Sequence, residues 1–326
     1  MTAGTTGTTG STETERPVVW VPRPVHDDAL ARLESWAEVA RGWGDRPVGF
    51  DAICDTVSGI LLRTERVDGD MMRRAPRLRI VARHGAGADT VDQQTAAQLG
   101  IRVTTTPGAN SRAVAEHAVA LLLAVRRGIG VAAREGAAAD RALLTGRELG
   151  GATLGLLGFG RIAREVARIA RDGFGMRVLA HDPFAPAEAF AAAGVESASL
   201  ARISQESDAV SVHIPLTAET RGVVGAGFLG RLPPGAVVVN TSRGGVVDED
   251  ALLSAIASGH LAGAGLDVTT VEPLPGDHPL RRHPQVVVTP HVGGQTAEAM
   301  RRVALEAADA LRDALSPAAA QTAGTI

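Results

Sequence analysis

Residues 155–163 read Gly-Leu-Leu-Gly-Phe-Gly-Arg-Ile-Ala, and Asp182 stands 19 residues beyond Ala163, after the apolar run Val178-Leu179-Ala180. This pattern predicts a strand ending at Leu157, a glycine turn, and a helix opening near Arg161. Gly158 permits the tight turn, Gly160 lets the backbone approach a pyrophosphate, and the small Ala163 lets the helix pack close to its strand. The helix N-terminus offers unpaired N–H groups and a partial positive charge to phosphate. Asp182 is spaced to accept hydrogen bonds from ribose hydroxyls. The chemistry these residues suit is dinucleotide binding; the competing reading is a glycine-rich loop in an ordinary α/β protein.

A nicotinamide enzyme acting on a 2-hydroxy or 2-oxo acid needs a cation for the carboxylate and an acid/base at the C2 oxygen. Arginine suits the first because its planar fork pairs with a carboxylate in two places. Histidine suits the second because its pKa lies near the working pH, and a nearby carboxylate favours its protonated form. Candidates follow three apolar runs. Arg243 follows Val237–Asn240, Glu272 follows Gly265–Val268, and His291 follows Val286–Pro290. In open α/β sheets, ligands bind at the C-terminal ends of strands. Taken singly, each has a plainer reading: a surface arginine, a solvated loop acid, a capped loop histidine.

The elements that must position these groups read as two α/β series. Strands are expected at Pro17–Val21, Val57–Leu62, Leu78–Ala82 and Ile101–Thr104, with helices over Asp27–Trp36 and Asp89–Leu99. After Pro107-Gly108 a long helix runs from Ser111 to about Arg127. A second series holds strands at Thr153–Leu157, Arg177–Ala180, Ala209–His213, Ala236–Asn240, Gly263–Val268 and Gln285–Thr289, and a last helix spans Thr296–Leu315. Alternating strands and helices imply parallel sheets. The last helix has few partners in the second series and is expected to return to the first. This places a domain over residues 108–292 inside a discontinuous one made of 17–107 and 293–326, with hinges near 105–109 and 290–294. Residues 1–16, mostly Thr, Gly, Ser and Glu, cannot bury apolar surface and read as a disordered tail.

Composition narrows the function classes. A net charge of −3 gives no reason to expect nucleic acid or an anionic membrane. No apolar run reaches the roughly 18 residues of a membrane span. The single cysteine, Cys54, forbids an internal disulfide and a cysteine metal cluster. No metal site is expected, and a cytoplasmic location fits. All 33 basic residues are arginine and there is no tyrosine, which excludes Schiff-base lysine and tyrosine-acid mechanisms.

The chain resembles the D-isomer-specific 2-hydroxyacid dehydrogenases, in the short phosphoglycerate dehydrogenase-like form without a regulatory domain. The matching segments are Gly158-Phe-Gly160-Arg-Ile-Ala163 with Asp182, Val212-His213-Ile214-Pro215-Leu216, Asn240-Thr-Ser-Arg243-Gly-Gly, Gly265-Leu-Asp267-Val, Glu272-Pro-Leu and Thr289-Pro-His291-Val-Gly293-Gly294, in that order. The resemblance implies two Rossmann-like or flavodoxin-like domains, an NAD-binding domain inserted into a substrate-binding one. It implies that Arg243 binds the substrate carboxylate and carbonyl, that His291 is the proton donor or acceptor, and that Glu272 holds His291 and raises its pKa. Arg161 and Ile162 would contact the pyrophosphate. His213, Ile214, Pro215, Thr241, Ser242, Gly293 and Gly294 would line the cofactor groove, with Asp267 near the nicotinamide carboxamide.

In the first series, Arg83-His84-Gly85-Ala86-Gly87-Ala88-Asp89 is similar to the family's substrate loop. Successive N–H groups at Ala86 and Gly87 suit a carboxylate nest. Arg63 resembles an anion-binding position of relatives that act on 3-phosphoglycerate. With Arg83 and His84 it would hold a second anionic group; the competing reading pairs it with Glu65 or Asp68. Glu116 and His117, on the long helix, read as structural. Thr269 and Thr270 depart from the aromatic and acidic residues usual in the family. The resemblance implies hydride transfer between NAD and C2 of a D-2-hydroxy acid, on 3-phosphoglycerate, hydroxypyruvate, glyoxylate or a phosphonate analogue, in a homodimer. Asp182 would repel the 2′-phosphate of NADP. The alternative is an NAD-sensing, corepressor-like binding protein.

Overall fold

The computed structural model describes residues 15–136 and 144–316, so the expected tail lies outside the described residues except for Glu15 and Arg16. The described residues fall into two compact units, one of residues 15–109 with 300–316 and one within 110–299. The breaks fall at Ala109/Asn110 and Ala299/Met300, not at 107/108 and 292/293. Residues 293–299 stay with the second unit because the Gly293 N–H is tied to the Asp267 carboxylate and Gly294 lies against Asn110.

The first unit opens with β1 (Val18–Val21), α1 (Asp27–Glu34), β2 (Glu38–Arg41), β3 (Val57–Leu62), α2 (Gly69–Arg73), β4 (Ile80–Arg83), α3 (Gln93–Gln98) and β5 (Arg102–Thr104). Its five parallel strands are ordered β2-β1-β3-β4-β5, the flavodoxin-like order that switches direction between β1 and β3. His26 caps α1, and Leu30 and Leu33 turn into the core. The third helix starts four residues later than the apolar pattern suggests. Asp92 caps it by accepting the Thr95 N–H, and Val91 is held in a bridge with Val67.

The second unit begins with α4 (Ser111–Arg126) and α5 (Ile129–Glu135). It continues with β6 (Thr153–Leu157), α6 (Arg161–Arg168), β7 (Arg177–His181), α7 (Ala187–Ala192), β8 (Glu196–Ser197), α8 (Leu200–Glu206) and β9 (Ala209–Val212). It closes with α9 (Ala226–Leu229), β10 (Ala236–Asn240), α10 (Glu249–Ala257), β11 (Leu261–Leu266), α11 (Pro279–Arg282) and β12 (Val286–Val288). The sheet order is β12-β11-β10-β9-β6-β7-β8, all parallel. That is the Rossmann order with an added edge strand, and its switch point lies between β6 and β9. Alternation along each strand feeds two cores. Leu154, Leu156, Val237 and Val239 pack with Leu121 and Leu122 of α4 and Val166 of α6. Leu157, Val210, Val212 and Val238 pack on the opposite face with Ile203 of α8 and Leu252 of α10. Burial of both faces explains the near-continuous apolar runs.

The last helix, α12 (Ala297–Leu315), supplies Ala304, Ala307, Ala308, Leu311 and Leu315 to the core of the first unit. It approaches β3 closely: a Cβ at Gly59 would lie 2.7 Å from Leu311 Cδ2. No helix among the described residues is long and apolar enough to cross a membrane.

Candidate active site

The glycine turn follows β6. Gly158 has φ +91°, and a Cβ there would also lie 2.8 Å from the His213 carbonyl oxygen, so conformation and space both demand glycine. Its N–H donates to His181 O at 2.8 Å. Beside Gly160 there is open space, with nothing within 4 Å of a built Cβ. Helix α6 starts at Arg161 with no side chain capping it, which leaves its first N–H groups available. Ile162 is half-buried against the core, while Arg161 is exposed. Asp182 ties the turn to β7: its carboxylate accepts the Phe159 N–H at 2.8 Å and the Phe184 N–H at 3.0 Å. Each oxygen retains acceptor capacity for a ribose hydroxyl. Ile214 is partly buried beside Gly158, and Pro215 O accepts the Thr220 hydroxyl. His213 Nε2 is 2.9 Å from Ser211 Oγ, and burial pushes this imidazole down to about 4, so it is neutral.

At the end of β10, Asn240 is fully buried and pins the next loop. Its Oδ1 accepts the Ser242 N–H at 3.0 Å and the Ser242 hydroxyl at 2.9 Å, while its Nδ2 donates to Arg243 O at 2.9 Å. Arg243 Nη1 donates to Ser242 O at 2.7 Å. The Thr241 hydroxyl is buried without a hydrogen-bond partner among the described residues. The loop also abuts the one after β11. A Cβ at Gly244 would lie 2.0 Å from Thr269 C, a clash with backbone that no side chain can relieve.

The loops after β11 and β12 bring the acid and the histidine together. Glu272 Oε2 is 2.9 Å from His291 Nδ1, and Glu272 Oε1 accepts the Thr269 N–H at 3.2 Å. The Glu272 hydrogen bond raises the His291 pKa against the opposing effects of burial and of the Arg243 charge. Burial pushes Glu272 upward, but the His291 contact and its positive charge outweigh this and hold the carboxyl low. The contact therefore favours the imidazolium over the neutral ring, and with Nδ1–H facing Glu272 it leaves Nε2 for a reacting oxygen. His291 has φ 54°, the one described non-glycine residue with positive φ. Asp267 fixes this loop: it accepts Val292 N–H (2.9 Å), Gly293 N–H (2.8 Å) and the Thr289 hydroxyl (2.6 Å), and its own carbonyl accepts His291 N–H (2.8 Å).

Residues 119–293 match the D-isomer specific 2-hydroxyacid dehydrogenase, NAD binding domain. Over 307 residues the chain is 41% identical to the D-3-phosphoglycerate dehydrogenase of Mycobacterium leprae, covering 92% of this chain and 57% of that protein. The chain belongs to the D-isomer specific 2-hydroxyacid dehydrogenase family. It spans just over half the length of that relative. The glyoxylate reductase of Korarchaeum cryptofilum is 38% identical, with 89% of this chain and 90% of that one aligned. The solved structure of the TT0316 protein from Thermus thermophilus superposes with a TM-score of 0.81 at 38% identity, covering 91% of this chain and 96% of that one.

NAD is the cofactor of the family domain that residues 119–293 form. The open space at Gly160, the uncapped start of α6 and the unpaired buried hydroxyl of Thr241 fit such a ligand.

The remaining expected residues lie in the first unit. His84 follows β4 and is buried; its Nε2 has no partner among the described residues. Burial first, then the positive charge of Arg63, push its pKa down to about 4. Arg63 Nη1 donates to Pro24 O at 3.1 Å. It does not pair with Glu65, which is held by Arg23 at 2.6 Å, nor with Asp68, which caps α2. Arg83 donates to the carbonyls of Arg63 and His84. Gly85 turns the chain into Ala86 and Gly87, its N–H held by the Thr106 hydroxyl at 3.1 Å. Ala86 is exposed and Gly87 half-buried.

Sequence reasoning gave Asn240 no role and read His117 as structural without its partners. An asparagine closing a buried apolar strand, followed by Thr-Ser, signals a side chain that binds its own loop. For His117 no local signal exists, because its partners lie about 150 to 172 positions away.

Proposed function

We propose that this protein is an NAD-dependent D-2-hydroxyacid dehydrogenase, working also as a 2-oxoacid reductase, with the second unit as cofactor domain and the first as substrate-binding domain. The observation that carries the reading is the 2.9 Å contact between His291 Nδ1 and Glu272 Oε2, inside the field of Arg243. Bound NAD supplies the hydride acceptor or, as NADH, the donor. His291 holds the proton on Nε2 that passes to the C2 oxygen in reduction and takes it back in oxidation. Glu272 keeps Nδ1 protonated and the ring oriented. Arg243 offers its guanidinium to the substrate carboxylate and to the charge developing on the carbonyl oxygen. Arg161 and Ile162, at the start of α6, serve the pyrophosphate. Asp182 serves the ribose. His213, Ile214, Pro215, Thr241, Ser242, Asp267, Gly293 and Gly294 form the rest of the cofactor groove.

Arg63, His84, Ala86 and Gly87 supply further contacts to an anionic substrate. Arg63 is satisfied by a carbonyl, so its charge suits a phosphate or second carboxylate. The names of the M. leprae and K. cryptofilum relatives bracket the choice between 3-phosphohydroxypyruvate and glyoxylate. We also propose a cytoplasmic homodimer; light scattering on the purified chain tests the dimer.

The decisive variant is His291→Asn. Loss of a general acid is expected to raise the barrier by about 3–5 kcal/mol with NADH binding retained. Near-normal turnover of 2-oxo acids by this variant would remove the assignment.

A further inference from the structure

The long helix α4 reaches the His291 loop through His117. His117 Nε2 lies 2.9 Å from Thr289 Oγ1 and 3.2 Å from Asp267 Oδ1. Thr289 gives its only hydroxyl proton to Asp267 Oδ1 at 2.6 Å, so toward His117 that oxygen can only accept. His117 Nε2 therefore carries a hydrogen and donates it to both oxygens. Asp267 is 3% exposed and holds the loop from its inner side through Val292 N–H and Gly293 N–H. A residue with a Cβ does not keep φ 54° unaided; the surrounding contacts must impose it on His291. Asp267 supplies four of those contacts, three through its carboxylate and one through its carbonyl to His291 N–H, and the His117 side chain holds Asp267 and Thr289 in turn.

We propose that His117 is a positioning residue, which through Asp267 and Thr289 sets the angle at which the 289–293 loop presents His291 to Glu272. The inference rests on the proton-carrying role proposed for His291, but the clamp can be read without turnover. His291 faces Glu272, Asp267 and Arg243; Asp267 holds its backbone N–H, whereas the ring itself is hydrogen-bonded to Glu272, a contact that depends on the loop's angle. A tilted loop breaks that bond first. It also misplaces Nε2, and a displacement of about 1 Å at a reacting group costs on the order of 100-fold in rate.

The test uses the full chain, labelled at histidine and free of cofactor. The His291 ring is assigned by its loss in His291→Asn and titrated by NMR. In His117→Leu the midpoint is expected to fall toward 6.5, the value of an unpartnered imidazole. In His117→Gln, whose amide N–H can donate to the same oxygens, it is expected to stay at the wild-type position. With NADH and glyoxylate, the leucine variant is expected to lose about 10- to 100-fold in kcat with KM little changed, and the glutamine variant to recover most of that loss. Should His117→Leu fail to fold, Thr289→Val removes one of the two oxygens that His117 holds, together with the hydroxyl proton given to Asp267, a smaller change that must lower the midpoint in the same direction. A wild-type midpoint in a folded leucine or valine variant, or a glutamine variant as impaired as leucine, overturns the proposal. Undiminished turnover in His291→Asn would instead overturn the functional assignment while leaving the NMR result standing.

Discussion

Replacing Glu272 by glutamine isolates the charge of the Glu272–His291 pair from its geometry, because the amide oxygen can still accept the Nδ1 hydrogen. A hydrogen bond to a charged group contributes about 1.5–3 kcal/mol when well shielded. Here the His291 and Glu272 side chains are 53% and 39% exposed, so solvent screening leaves about 1 kcal/mol. The contact raises the His291 pKa, so it stabilises the imidazolium, and its loss moves the titration downward. Reduction needs the protonated ring and is lost as pH rises through that pKa. Oxidation needs the neutral ring and appears as pH rises. In Glu272→Gln both limbs therefore move to lower pH. Above the wild-type pKa the reductive kcat/KM falls about fivefold, the equivalent of about 1 kcal/mol, whereas at acid pH the two proteins converge. The assay is NADH oxidation with glyoxylate, and NAD reduction with glycolate, followed over about pH 5.5–9. Superimposable profiles for the two proteins would refute the reasoning, since they would mean that the carboxylate does not govern the proton on His291.

Three further outcomes are expected. Arg63→Ala should raise KM for 3-phosphohydroxypyruvate at least about tenfold while leaving glyoxylate nearly unchanged, given about 1.5–3 kcal/mol for a charge-assisted contact; equal effects on both substrates in steady-state kinetics would remove Arg63 from the anion site. The kcat/KM ratio should favour NAD over NADP, because Asp182, in the ribose-binding role proposed for it, would repel a 2′-phosphate and Pro183-Phe184 supply no cation; Asp182→Ala should narrow that ratio, and a wild-type preference for NADP would contradict it. Burial pushes the Asp267 carboxyl up, but His117, Thr289 and two backbone N–H groups together hold it at about 2, below the ordinary 3.8. Its folded-state pKa is depressed, so the stabilisation is complete above 3.8 and is lost as pH falls toward 2. Urea unfolding should show the advantage of wild type over Asp267→Asn shrinking by about 2 kcal/mol across that window.

What could be read from the residues follows the range of the interactions. The glycine turn at 158–160 and the apolar runs of β10 and β11 were legible because a strand buried on both faces announces itself within five or six residues, and its C-terminal end locates the chemistry, although β11 runs Leu261–Leu266 and not 263–268. Strands β2 and β8 were not. Glu38-Val-Ala-Arg and Glu196-Ser are short and mostly polar, as edge strands that avoid further pairing tend to be, and carry no apolar signature. The breaks between units escaped for a related reason. The chain leaves β12 at a proline and histidine that look like a hinge, yet Asp267, more than twenty residues earlier, binds the segment back into the second unit.

The same carboxylate explains why the candidate site was only half visible. Arg243, Glu272 and His291 are chemically conspicuous types at strand ends, and a list of types finds them. What orients them is less conspicuous: an asparagine turned onto its own loop, a glycine at 244 that admits the Thr269 backbone, and a histidine on α4 tied to Asp267 and Thr289. Such groups do no chemistry, so residue type gives no hint of them, and their partners lie too far along the chain for spacing to help. His291 is the clearest case. Its identity suggests an acid/base, but whether it can act as one depends on a positive φ and a 2.9 Å contact, both of which arise only when three separate loops close on one another.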